Sequence, residues 1–324
     1  MASGKMGRSR ESRARRIWIG VALGVLAVVA GGLAYAAMTQ FETPSTAGST
    51  PGAAPSSTGD AVVESDDPST LEEPAESTPA AVAPGRVITA LDASFAVRAV
   101  STTCPAPTAV EVSSDAGANW RAIPADPVSA AQRVDWDGDS YLAVLGSASD
   151  GCASTFDLTW TAGDDWDSAP DELTAEWFVD PGDRATVHSP TGAQPAPCRA
   201  VLQLAASDDD ASAAALCDDA TVHATVDGGQ TWLAAGPIAG AGAIGAGDAG
   251  VFRVAVIDQT GCTGAQLGEL SVVDGTAVLG ALGACLAAAV PAGAVAVDTA
   301  TDGSTWVWAG DVIGRSTDGG LSWL

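Results

Sequence analysis

Three copies of one eight-residue pattern limit what this chain can fold into. Ser316-x-Asp318-x-Gly320-x-Ser322-Trp323 closes the sequence, and Thr225-x-Asp227-x-Gly229-x-Thr231-Trp232 precedes it. Ser113-x-Asp115-x-Gly117-x-Asn119-Trp120 is a more worn copy. Glycine beside aspartate between apolar runs signals a tight turn, because such turns need backbone at positive φ. The Asp carboxylate and the Ser or Thr hydroxyl can each accept backbone N–H bonds inside the turn. The closing Trp adds a large apolar body to hold the turn against a sheet. The pattern reads first as a structural staple.

With these residues in view, the repeat resembles the Asp-box, or BNR repeat, of sialidase-like β-propellers. It is also similar to photosystem assembly-factor-like propellers, which bind proteins. The resemblance implies an all-β propeller in which the boxes lie away from any active site. Spacing between the box tryptophans measures the repeat. Trp120 to Trp166 is 46 residues, with Thr161–Trp166 as a degenerate box, and Trp232 to Trp323 is 91, or two units. The turn missing between those two is expected within Ser271–Val278. Trp166 to Trp232 is 66, read as one unit plus an insertion of about 20 residues inside Asp171–Pro197. The expectation is five four-stranded blades, with six as the alternative. Apolar runs at Phe95–Val100, Tyr141–Leu145, Ala200–Leu204, Val251–Ile257 and Thr305–Trp308 supply strands, with weaker ones at Val87–Leu91 and Ala294–Val297. The last box leaves its blade almost no outer strand, so Ala80–Gly85 is expected to pair there and close the ring.

The rest of the chain carries different signals. Residues 1–16 hold six basic side chains against Glu11, and 17–38 is an uncharged apolar run of 22 residues. A bilayer needs about 20, and the basic flank would stay in the cytoplasm. A single-pass anchor is expected, with the remainder outside the cytoplasm; Ala34-Tyr35-Ala36 keeps a cleaved signal peptide as the alternative. Residues 39–85 are rich in Pro, Ser, Thr and Ala and acidic, which predicts a disordered spacer. The folded domain is placed at 86–324.

Beyond Met38 there are 40 − 1 = 39 acids against 14 − 6 = 8 arginines, a charge of −31. That argues against nucleic acid, whose affinity comes from cationic contacts. Six cysteines on the exported side read as disulfides. The expected pairs are Cys198 with Cys217, Cys262 with Cys285, and Cys104 with Cys152 across neighbouring blades.

No cofactor is expected. Asp135–Asp139 and Asp208–Asp210 resemble the starts of calcium loops, but neither has a closing acid at the required spacing. A hairpin turn accounts for the first equally well. No close Cys pair exists for zinc. The resemblance would bring an arginine triad, a Tyr nucleophile with a Glu partner, and an acid. No catalytic position can be matched: the domain has one tyrosine, Tyr141, and its arginines are scattered. His188 and His223 are isolated and no Gly-x-Ser-x-Gly elbow occurs. Trp136, Trp160, Trp177, Trp306 and Trp308 fall outside the boxes and are expected in strand cores. The reading is a non-catalytic protein-interaction module. A cell-wall or glycan-binding lectin and a degenerate glycoside hydrolase are the alternatives.

Overall fold

The computed structural model describes residues 80–247 and 250–324. The expected basic tail, the apolar run 17–38 and the spacer as far as residue 79 lie outside the described residues. Among the described residues no helix is long and apolar enough to cross a membrane.

The described residues form six antiparallel sheets, the blades of a six-bladed propeller. Blade 1 holds β1 (Arg86–Ala90), β2 (Ala96–Val100), β3 (Ala109–Ser113) and β4 (Arg121–Ile123). Blade 2 holds β5 (Val128–Trp136), β6 (Leu142–Ala148), β7 (Ser154–Thr159) and β8 (Asp167–Ser168). A 3-10 helix, Pro170–Ala175, leads to blade 3, with β9 (Phe178–Asp180), β10 (Asp183–Ser189) and β11 (Gly192–Pro195). Blade 4 holds β12 (Val201–Ala206), β13 (Ala213–Cys217), β14 (Thr221–Thr225) and β15 (Leu233–Pro237). Blade 5 holds β16 (Ala241–Ala246), β17 (Phe252–Ile257), β18 (Gly264–Val273) and β19 (Thr276–Leu279), with β20 (Leu286–Ala287) also on β18. Blade 6 holds β21 (Val295–Thr299), β22 (Thr305–Ala309) and β23 (Val312–Ser316).

Small and β-branched residues let these sheets stack face to face, and an apolar cluster fills each interface. Val97, Val112, Val134 and Val144 pack between blades 1 and 2, and Leu145, Phe156 and Phe178 between 2 and 3. Val179, Val201 and Ala213 lie between 3 and 4, and Leu216, Ile244 and Phe252 between 4 and 5. Leu267, Val295 and Val307 join 5 to 6, while Ile88, Ala96, Trp306 and Trp308 join 6 to 1. That sixth cluster closes the ring.

The first strands β1, β5, β12, β16 and β21 form the hub. A Cβ on Gly242 would meet Val295, and one on Gly245 would sit 2.0 Å from the Val297 carbonyl oxygen, so β16 and β21 run parallel in direct contact. Arg86 reaches Ala294 O while Ala90 N–H reaches Asp298, which sets β1 parallel to β21 in the same way.

Three expectations are corrected. The supposed insertion after Trp166 is a sixth blade, since β9 to β11 form a sheet of their own. Its turn, Ser189-Pro190-Thr191-Gly192, has neither Asp nor Trp, so box spacing passes over it. Blades 3 and 6 have three strands rather than four. Ala80–Gly85 does not pair with the last blade's outer edge: Ala81 N–H donates to Asp218 O and Gly85 N–H to Gly293 O. Closure instead rests on side chains at the blade 6 to blade 1 seam. Arg86 lies 4.1 Å from the Trp308 ring, and Arg98 sits between Trp308 at 4.6 Å and Trp120 at 4.0 Å. Trp306 packs edge-on against Trp120 and donates to Asp92 O at 2.9 Å.

Blade 3 also lacks a descending first strand. Trp177 packs edge-on against Trp232 and donates to Asp210 O, the same relation that Trp306 has to Trp120 and Asp92. Trp306 belongs to the second strand of its blade, so β9 is a second strand too. Gln132 of β5 bridges to it through both the N–H and the carbonyl of Val179, at 3.1 and 2.8 Å.

Candidate functional site

The alternation of strands gives the ring two unlike faces. One carries the loops between second and third strands and holds the disulfides Cys104–Cys152, Cys198–Cys217 and Cys262–Cys285. Cys104–Cys152 ties blade 1 to blade 2. The chain also enters β1 on this side, through Gly85. The other face carries the boxes and the turns that end the first strands.

Each box is a closed network. Ser113 Oγ donates to Asp115 at 3.0 Å and accepts from Gly117 N–H, while Asp115 accepts from the backbone N–H and Nδ2 of Asn119 at 2.9 and 2.7 Å. Thr225, Asp227, Gly229 and Thr231 repeat this, as do Ser316, Asp318, Gly320 and Ser322. The donated bonds, from Ser322 and Ser316 in the last box, hold the Asp318 carboxyl down to about 2. Gly117, Gly229 and Gly320 have φ of 82°, 85° and 92°, which disfavours other residues. The box tryptophans reach toward the preceding blade: Trp120, Trp166, Trp232 and Trp323 border the clusters between blades 6 and 1, 1 and 2, 3 and 4, and 5 and 6. The boxes therefore staple blades together.

The hydrogen bonds also correct one register. Thr159 Oγ1 accepts from Thr161 N–H and Gly163 N–H, and Thr161 Oγ1 accepts from Asp165 N–H. The blade 2 box therefore starts at Thr159, with Thr161 in the aspartate place. Trp160 falls at its second position, where the other boxes have Ser114, Val226 and Thr317. That position points to solvent. Trp160 is 61% exposed and packs at a 46° tilt against Tyr141, 4.5 Å between ring centroids. Core packing was expected for it, and Trp177, Trp306 and Trp308 are buried, the last two within β22, but Trp160 stands on the surface. Trp136 is half-buried against Phe95, 6.1 Å away.

Around Tyr141 the charges gather. Burial, with Asp135, Glu172 and Glu176 nearby, pushes its phenol up to about 12. Arg133 bonds Asp135 at 3.0 Å and Glu176 at 2.8 Å. Burial works against its charge, but the two carboxylates outweigh it and the guanidinium is held more firmly protonated. No sequence spacing joined Arg133, Tyr141 and Glu176; β5, β6 and the segment after the 3-10 helix bring them together.

At the hub, side chains latch three of the first strands to the next one. Thr89 donates to Val134 O, Gln203 accepts from Ile244 N–H at 2.7 Å, and Asp298 accepts from Ala90 N–H at 2.9 Å. Asp298 is half-buried, and desolvation raises its carboxyl to about 7, helped by the charges of Asp135 and Asp208.

The Asp135–Asp139 run is a hairpin turn in which Asp137 accepts from Asp139 N–H and Tyr141 N–H. Asp209 accepts from Ala211 N–H and from the N–H and hydroxyl of Ser212. Among the described residues no group of three or more His, Cys, Asp and Glu side chains is placed to hold a metal. His188 stacks flat on Phe178 at 4.3 Å, and His223, lowered by burial, lies 3.2 Å from Thr221 Oγ1.

No protein-family model matches the chain, and no curated protein matches it. Among solved structures it is similar to the GH74 xyloglucanase from Xanthomonas campestris, at 18% identity and a TM-score of 0.29, over 74% of this chain and 37% of that one. It is also similar to YCF48 from Cyanidioschyzon merolae, at 18% identity and a TM-score of 0.30, over 70% of this chain and 68% of that one. A structure of YCF48 bound to D1 peptide matches at 12% identity and a TM-score of 0.27, over 76% and 74% of the two chains. The chain spans little more than a third of the length of the xyloglucanase. At these values no residue role passes from those proteins to this chain.

Proposed function

We propose that this chain is a non-catalytic protein-interaction module of the Asp-box type, tethered by residues 17–38 and displayed outside the cytoplasm. The observation that carries the reading is Trp160, a large aromatic placed at the outward position of a box turn and packed at a tilt against Tyr141. An exposed Trp braced by a half-buried Tyr on a rigid scaffold is the kind of anchor that protein interfaces are built around. Six cysteines joined in three disulfides, none free among the described residues, support an oxidising compartment. The basic flank and apolar run support the tether.

The experiment is chemical cross-linking of the full-length protein in intact cells, followed by mass spectrometry. One dominant protein partner supports the module; recovery of wall or glycan fragments alone replaces it with a lectin. A second reading, a glycoside hydrolase, is favoured by Asp298, a carboxyl raised to about 7 by burial with Asp135 nearby. Against it, Asp298 already serves as a latch to Ala90, in the same role as Thr89 and Gln203. Reducing-sugar release from plant and bacterial wall polysaccharides that is lost in Asp298→Asn would establish the hydrolase.

A further inference from the structure

We propose that the Cys104–Cys152 bridge is an exchangeable disulfide, opened by a dithiol protein that attacks the Cys152 sulfur. Exchange is governed by access to the attacked sulfur and by how readily the other sulfur leaves as a thiolate. The three bridges differ in both respects. Cys217 is fully buried at the end of β13, and Cys262 is 5% exposed. Attack on Cys198 or Cys285 would expel one of these as a buried thiolate. Burial raises a thiol's pKa and makes it a poor leaving group. Cys104 is half-buried in a loop and Cys152 is exposed, so neither half of that bridge lies in the core. Cys152 is also the one cysteine with positive φ, 61°, a conformation that residues other than glycine seldom adopt. Such a conformation persists only while its surroundings hold it, and the bridge is one of those restraints.

In the exchange, a thiolate of the dithiol bonds to Cys152 Sγ while the electron pair of the old bond leaves on Cys104 Sγ. The second thiol of the dithiol, giving its proton to water, then displaces Cys152 as a thiolate. The dithiol ends as a disulfide, and the bridge, having gained two electrons, ends as two thiols. The blades stay joined beneath it. Val110, Val128, Val134 and Val144 fill the seam between blades 1 and 2, and Trp166 donates to Pro124 O at 3.0 Å. Thr108 N–H bonds Val128 O and Ser149 N–H bonds Pro127 O at the roots of the two bridged loops. Opening the bridge therefore frees residues 101–107 and 150–153 on the disulfide face and leaves the ring closed.

The test treats the full chain with submillimolar dithiothreitol at pH 8, quenches samples with iodoacetamide and maps the alkylated cysteines by mass spectrometry. Cys104 and Cys152 should be alkylated together, about tenfold faster than the other four cysteines. The tryptophan fluorescence spectrum should stay native while they are. A Cys-x-x-Cys protein whose second cysteine is replaced by Ser should be trapped on Cys152 and not on Cys104. Equal rates at all six cysteines, or earlier opening of either other bridge, overturn the proposal. So does trapping at Cys104, which reverses the direction of attack. Loss of the native spectrum as the bridge opens overturns it too, because the bond would then be holding the blades. Each result leaves the module reading where cross-linking in cells puts it, since neither inference needs the other.

Discussion

Replacing Asp298 with asparagine should make the protein more stable at pH 8 and leave it nearly unchanged at pH 4. The Asp298 carboxyl titrates near 7 in the fold, against 3.8 when unperturbed, chiefly because burial disfavours its charge. Between those values the folded state holds a proton that the unfolded chain has released, so stability falls as pH rises from about 4 to about 7. A full shift of 7 − 3.8 would amount to roughly 4 kcal/mol at 1.36 kcal/mol per unit. Asp298 is only half-buried, and solvent screening brings the expected figure to about 2 kcal/mol. The asparagine carbonyl can still accept from Ala90 N–H, so the latch survives the substitution. Urea unfolding of both proteins at half-unit steps from pH 4 to pH 8 measures the difference. The gap should open across that window and then level off. A gap that stays constant with pH, or opens only below pH 4, refutes the assignment.

Other consequences follow from the staples and the seam. Trp306→Ala removes a fully buried indole together with its bond to Asp92 O, and should cost about 3–5 kcal/mol in urea unfolding. Trp177→Ala should behave alike, because Trp177 makes the same pair of contacts in blade 3. Asp227→Ala breaks the bonds from Thr225, Thr231 N–H and Thr231 Oγ1, and should cost about 1–2 kcal/mol at pH 7. Its carboxyl is held below the usual range, first by the Thr231 hydroxyl, so that contribution is present above about pH 4 and is lost as the pH falls. Gly245→Ala places a methyl 2.0 Å from Val297 O in the hub and should lower the thermal midpoint by several degrees.

The parts of this molecule written in the sequence are those where local chemistry and fold coincide. A box needs hydroxyl, carboxylate, glycine and Trp at fixed spacing, and the three full boxes are visible for that reason. Blade 3 stayed hidden because Ser189 and Thr191 build a similar turn with hydroxyls alone, Ser189 Oγ accepting from Thr191 N–H. Trp177 was the available signal: it lies 12 residues before Ser189, much as Trp306 lies 10 before Ser316. Trp160 was readable too, had the blade 2 box been started at Thr159 instead of Thr161. The seam and the hub latches were not readable. Arg98, Trp120 and Trp308 meet only when the ring closes, and Asp298 is one acid inside an ordinary strand, Val295–Thr299.

The central claim is that the box face at blade 2 meets a protein. Photo-cross-linking in intact cells tests it most directly, with Asp164→p-benzoylphenylalanine in the turn that carries Trp160 and Ala106→p-benzoylphenylalanine on the disulfide face. Both positions are exposed. The account predicts one protein partner joined at position 164 and none at position 106. Equal capture at both positions, or glycan alone at position 164, contradicts it.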